Sequence, residues 1–516
     1  MDPPPIAVER ARTRPTHDRG AIVARNVGLN FVSQFWFVAL AIATTPYIVR
    51  NLGVDSYGLY VIVSVVMGYF SFLDLGLGAA LVKYISEYDA AGDARAVERI
   101  VRTGSGLFLV VGALGAGIIA VLSSVLVEHV LTLGESEKDV ARVAFYLAAL
   151  GFLVNLPAQT FSVVPSALQR FDVVVVRTIV FGTASIAGTI VVLAFGYGLL
   201  AVLVVNLVIT ILTAVSFYLK SRTLLPGVSF MPRISRPELR LLLGFGGLKA
   251  VQRISTRIVF QLDRLVVGAF APIAAVAYYS VPLALSQRVG GLVGNVGTAL
   301  FPAASALAGQ RDERRVEELY LRAMKLAALI TLPIASMMFF YAHEIMRYWL
   351  SPEFEANSSS VLMILAVANL LFAATTVPAV TLDSTGRIRI STQFALAAAA
   401  TNLVLVFTLV PTIGFQGAAW AVLGNAAIMA PMVLYYVHSR VLESSLRELF
   451  ERSLGKPLLA AAVLWPAMIW ARQYATNLAL VAALCVVTLL AYVGLTVVLG
   501  AYDARDRSLV RSLLHR

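Results

Sequence analysis

Three cations at four-residue intervals, Lys249, Arg253 and Arg257, lie within an otherwise apolar stretch from Leu248 to Arg264. On an α-helix this spacing keeps them on one slowly drifting stripe about 120° wide, continued by Gln261, with Arg264 falling back inside it. The opposite face is Leu, Ile, Val and Phe. A cation at mid-membrane costs roughly 2.5–3.5 kcal/mol on insertion scales, so such a stripe should line a wet cavity or meet an anion. The chemistry on offer is retention of a negatively charged ligand. The competing reading is a pair of helix ends whose side chains snorkel to the interface around one structural ion pair. Arg288 is a fourth cation inside an apolar span. The planar guanidinium of Arg253, Arg257 and Arg288 can grip phosphate oxygens bidentately, with Lys249 as an entry contact at the cytoplasmic end.

Asp74 is read as the one carboxylate well inside a span. It could couple transport to H⁺ or Na⁺ or act as counter-ion to the cationic stripe; a fixed structural ion pair is the alternative. Gln34, Asn155, Gln159, Gln252, Gln261, Gln287 and Asn295 are the amides at membrane depth, suited either to sugar hydroxyls or to interhelical hydrogen bonds. Asn206 and Asn425 are assigned to helix packing. No Ser/His/Asp set or paired carboxylates lie in the spans, and Gly290-Gly291 and Gly294 to Gly297 lack the GxxxxGK[ST] pattern of a phosphate loop. Cys485 is alone, so the sequence offers no disulfide, haem or zinc site. The expectation is a protein that is no enzyme and has no cofactor or metal.

The elements that must position these residues are set by composition. Of 516 residues, 59% are hydrophobic and 14% charged, and the mean hydropathy is +0.82. No ordinary soluble domain combines these values. Apolar stretches of about 20 residues follow one another from about residue 27 to residue 500, which predicts a polytopic all-α membrane protein with about 14 transmembrane helices. The net charge of +12 is a topology signal and no sign of nucleic acid, because 31 of the 41 Lys and Arg fall on alternate breaks between spans and the ends, six on the opposite breaks and four inside spans. By the positive-inside rule both termini are cytoplasmic. The Pro- and Arg-rich segment before residue 27 lacks the apolar core of a cleavable signal and reads as a cytoplasmic tail.

An internal repeat is visible at an offset of about 218–219 residues: Gly198 and Asn206 recur as Gly417 and Asn425, the basic loop with Gly92, Val97 and Glu98 recurs near Gly309, Val316 and Glu317, Gln34 maps to Gln252, and Leu131 maps to Leu350. The expected organisation is a tail (1–26), an N-lobe of helices 1–6 (27–222), a C-lobe of helices 7–12 (237–440), two further helices (455–500) and a second tail (501–516). An even number of helices per copy gives a parallel repeat, two lobes facing a central cavity, and alternating access. In the first copy the positions of Lys249, Arg253, Arg257 and Arg288 are Phe31, Phe35, Ala39 and Phe70, so the fold itself does not require these charges.

The block from Asn30 to Asp93 resembles the opening of Wzx-type polysaccharide flippases of the multidrug/oligosaccharidyl-lipid/polysaccharide exporter superfamily. The resembling pieces are Leu52-Gly53-Val54-Asp55-Ser56-Tyr57-Gly58, Leu73-Asp74-Leu75-Gly76-Leu77-Gly78 and Lys83-Tyr84-Ile85-Ser86. The resemblance implies a V-shaped pair of six-helix bundles in the bacterial inner membrane. It also implies movement of an undecaprenyl-pyrophosphate-linked oligosaccharide from the inner to the outer leaflet, for O-antigen, lipopolysaccharide or exopolysaccharide assembly alongside a polymerase and assembly proteins. It agrees with cavity cations for the pyrophosphate. The alternatives are a lipid II flippase and a cation-coupled multidrug exporter of the MATE type, whose cavity should be dominated by acids and aromatics.

Overall fold

The computed structural model describes residues 16–70, 76–310, 312–442 and 444–502. Among the described residues fifteen helices of fourteen residues or more carry the architecture. They are α1 (Thr16–Leu52), α2 (Val54–Phe70), α3 (Leu77–Ala90), α4 (Ala94–Val125), α5 (Glu135–Ala167), α6 (Phe171–Ala194) and α7 (Leu199–Leu224), then α8 (Arg236–Phe270) and α9 (Ile273–Gly309). After these come α10 (Glu313–Phe340), α11 (Pro352–Ser384), α12 (Ile388–Ile413), α13 (Gln416–Arg440), α14 (Gly455–Ala471) and α15 (Leu478–Val498). Among the described residues eleven helical segments are long and apolar enough to cross a membrane. Large apolar side chains such as Leu114, Val121, Val404 and Leu490 stand exposed on them, as a hydrocarbon solvent requires. The chain is a multi-pass membrane protein. Each expected span falls on a helix except the second, which falls on two, α2 and α3.

The internal repeat reappears as local structure. Asp93 caps α4 by accepting the Ala96 amide at 2.8 Å, and Asp312 caps α10 by accepting the Arg315 amide at 3.2 Å. Each side chain satisfies one of the orphan donors of the first turn. A five-residue π turn comes next, Leu126–Val130 directly after α4 in the first copy and Met346–Leu350 after the short helix Ala342–Ile345 in the second. The next helices, α5 and α11, are both 33 residues long.

The chain divides into two compact units. The first comprises residues 1–257 with 272–274, and the second 258–271 with 275–516. In the first, α5 is central and packs against α2, α3, α4, α6 and α7. The segment joining α7 to α8 folds back on α4: the Arg233 amide donates to the Arg102 carbonyl at 3.1 Å, the Thr103 hydroxyl to the Arg233 carbonyl, and Arg99 Nε to Glu238 at 2.9 Å. In the second unit α11, the counterpart of α5, packs against α10, α12 and α13. Its core includes Tyr320, Met324, Val377, Leu382, Val433 and Val437. The two added helices close on α10 through Ala328, Leu332, Ala460, Ala461 and Tyr492.

Candidate functional site

The first unit holds a half-open cavity of about 590 Å³ between α2, α5, α6 and α7. Polar residues enter it from each helix at same-face spacing: Tyr60 and Ser64 from α2, Asn155, Gln159 and Ser162 from α5, Asn206, Thr210 and Thr213 from α7. Residues four and seven apart share a helical face, so a short sequence pattern suffices to build a polar wall in an apolar bundle. From α6 come Arg177, Thr178 and Ser185, with Phe181 and Gly182 between them.

The hydrogen bonds divide the lining into structural and available groups. Ser64, Ser162, Thr210 and Thr213 donate to carbonyls of their own helices at 2.7–3.0 Å, which leaves their oxygen lone pairs free to accept. Ser185 donates to Oδ1 of Asn206 and joins α6 to α7. Tyr60 meets Asn206 and Ser64. Among the described residues the amides of Asn155 and Gln159 have no partner. Arg177 Nε donates to Ser216 Oγ at 3.0 Å, Nη1 reaches the Val173 carbonyl at 3.5 Å, and the guanidinium lies 5.8 Å from the Phe217 ring centre. Among the described residues no carboxylate lines this cavity.

Two of the expected amides, Asn155 and Gln159, are thus brought together. Asn206, assigned from the sequence to packing, does tie helices but also lines the same cavity. Arg177 was missed as a cavity residue: six positions from the start of α6, it counted among the cations between spans. Its signal was the spacing Thr178 to Ser185, seven residues apart, which runs a polar stripe alongside it.

In the second unit Gln261 is partly buried and its Oε1 has no partner. Arg264 Nη2 reaches Gln287 Oε1 at 3.5 Å, and Arg288 is exposed. Sequence reading took Asp74 as the one carboxylate well inside a span. Asp263 is another: inside α8 and fully buried, it accepts the Tyr279 hydroxyl and, at 2.9 Å, the Arg264 backbone N–H. It stood one residue past the expected end of its span, and α8 runs seven residues beyond it. Asp74, and the side chains of Gln34, Lys249, Gln252, Arg253, Arg257 and Asn295, lie outside the described residues, although the backbone at 249, 253 and 257 is part of the continuous helix α8.

Residues 48–359 match the family model described as polysaccharide biosynthesis protein. The chain belongs to this family. Within it, the match runs from the end of α1 into α11 and so includes the cavity helices α2, α5, α6 and α7. A protein of Shigella flexneri provisionally named an O-antigen transporter is 23% identical over 408 residues, which cover 78% of this chain and 94% of that protein. Two solved structures share the fold of this polysaccharide biosynthesis protein. A lipid II flippase in an inward closed conformation aligns with TM-score 0.70 at 14% identity, over 94% of this chain and all of that one. An inward-facing multidrug resistance MATE transporter aligns with TM-score 0.66 at 16% identity, over 79% of this chain and 95% of that one.

Proposed function

We propose that the protein is a flippase that carries an undecaprenyl-pyrophosphate-linked oligosaccharide from the inner to the outer leaflet of the bacterial cytoplasmic membrane. The observation that carries this reading is the family match on a chain whose described residues lie mainly in membrane-length helices. A member of a polysaccharide pathway built in this way handles its substrate in the bilayer, while the glycan is still attached to lipid. Moving a glycan and diphosphate unaided through hydrocarbon would strand many polar groups, each at several kcal/mol, so the barrier is electrostatic and solvation-based and the protein's task is to replace water. That task calls for cations and amides between helices and no catalytic group, so the protein is read as a transporter that is not an enzyme.

The basic breaks between spans support an orientation with both termini in the cytoplasm. Alternating access would use the repeated units, with Lys249, Arg253, Arg257 and Arg288 facing the diphosphate, Gln34, Gln252 and Gln261 facing the glycan, and Asp74 coupling the cycle to H⁺ or Na⁺ or countering the cations. A polymerase and assembly proteins would act on the delivered product.

Disruption of the gene in its host tests this reading. The expected result is loss of one surface polysaccharide, with its lipid-linked precursor retained on the cytoplasmic leaflet. Intact polysaccharide together with new sensitivity to cationic dyes would replace it with the MATE-type reading, which the shared fold favours as the alternative.

A further inference from the structure

We infer that the cavity of the first unit is a further subsite for a sugar ring and its attached diphosphate, with Arg177 taking phosphate oxygens there in addition to the cations of α8 and α9. This rests on the flippase reading and assigns a site within it.

The cavity is too polar to be a packing defect. Four helices each turn hydroxyls or amides into it, where an apolar bundle packed only against itself would present Leu or Val. At about 590 Å³ it lies within the usual range for small-molecule sites, roughly 300–1,000 Å³. Its groups fit a polyol. The amides of Asn155 and Gln159 offer donors and acceptors, while the Ser and Thr hydroxyls, having spent their protons on backbone carbonyls, offer lone pairs. A sugar hydroxyl both donates and accepts, so it can satisfy each kind.

The charge selects among polyols. Among the described lining residues Arg177 is the one charged side chain, and no carboxylate stands beside it. Ser216 and the Val173 carbonyl hold the guanidinium in place from one side, leaving further N–H groups for a ligand. A partly buried guanidinium in a polar pocket favours an anion and repels a cationic drug.

Depth fixes the order of the two parts. At 1.5 Å per residue, Arg177 lies about 9 Å from the start of α6, Gln159 about 12 Å and Asn155 about 18 Å from the adjoining end of α5. The Arg170–Asp172 turn between these helix ends lies on the basic side of the membrane. A lipid-linked saccharide arriving from that leaflet has its diphosphate at the level of Arg177 and its first sugar alongside Gln159 and Asn155.

The test is binding to the full-length purified protein of three soluble probes: farnesyl diphosphate, farnesyl diphosphate bearing an N-acetylglucosamine disaccharide, and a free disaccharide containing a uronic acid. Arg177→Gln is expected to weaken both diphosphate probes about tenfold, with partial recovery in Arg177→Lys. Gln159→Leu should weaken only the glycosylated diphosphate, about fivefold, and Ala158→Trp, which fills the cavity, should weaken it further. Gln159→Leu and Ala158→Trp keep the test open should Arg177→Gln fail to elute as a monodisperse species. If wild type binds the glycosylated probe and all these variants bind it equally well, the subsite is overturned while the flippase reading stands. If Arg177→Gln affects only the free uronic-acid disaccharide, the diphosphate assignment is overturned. If wild type binds none of the probes and moves no lipid-linked glycan between leaflets, the flippase reading fails and the subsite with it.

Discussion

Ser185 on α6 donates its hydroxyl to Oδ1 of Asn206 on α7, tying two helices at the wall of the first unit's cavity. The repeat counterpart of Asn206, Asn425, is fully buried, and neither polar atom of its side chain has a partner. One residue type at matching positions therefore contributes with opposite signs. Asn206→Leu is expected to cost about 1 kcal/mol, and Asn425→Leu, which removes an unsatisfied amide, to be neutral or stabilising by a similar amount. Thermal unfolding of the purified variants gives the comparison, and the reverse ordering would contradict it.

The matched caps make a second prediction. Asp93→Ala and Asp312→Ala should each lower stability by about 1 kcal/mol, whereas Asp→Asn at either site should retain most of it, since Asn caps nearly as well. Equal loss from Ala and Asn in the same unfolding assay would place the effect outside the cap.

The segment between α7 and α8 carries a pH dependence. The Ser235 hydroxyl, with help from Arg99, holds the Glu238 carboxyl below the usual carboxylate range. A depressed folded-state pKa means that the contribution is present above the unfolded value of about 4.3 and is lost as pH falls through the lower folded value. Arg99 is half exposed, so solvent screening limits the pair to about 0.5–1 kcal/mol. Protease cleavage between Leu225 and Ser235 should be faster in Glu238→Gln than in wild type at neutral pH, and the difference should vanish in acid. A difference that persists unchanged below about pH 3 would rule out the carboxylate as its origin.

Asp263 and Tyr279 supply a fourth test. Tyr279→Phe removes the side-chain hydroxyl that donates to a fully buried carboxylate and should cost about 1–3 kcal/mol, and Asp263→Asn in the same background should recover part of that loss. Additive losses in the double variant would show that the two groups do not act together.

The helices were legible because a membrane protein writes its spans in hydropathy, a signal that needs no knowledge of packing. The repeat was legible from single matches such as Gly198 to Gly417, yet its clearest mark is the pair Asp93 and Asp312, which share one local hydrogen bond. Side-chain roles were harder to read. Arg177 and Asp263 both sit within a few residues of an expected span end, where hydropathy cannot distinguish a charge in the headgroup region from one turned into the bundle. The helix rotation that decides this is set by packing against neighbours, as with α5 between α4 and α7.

The most direct measurement is the rate at which a fluorescent polyprenyl diphosphate disaccharide crosses between leaflets of proteoliposomes. It is read by quencher accessibility for wild type, Arg257→Ala and protein-free vesicles. The account predicts rapid crossing with wild type and a rate reduced about tenfold or more in correctly folded Arg257→Ala. Wild-type vesicles that move this lipid no faster than protein-free vesicles, while extruding a cationic dye, would contradict it.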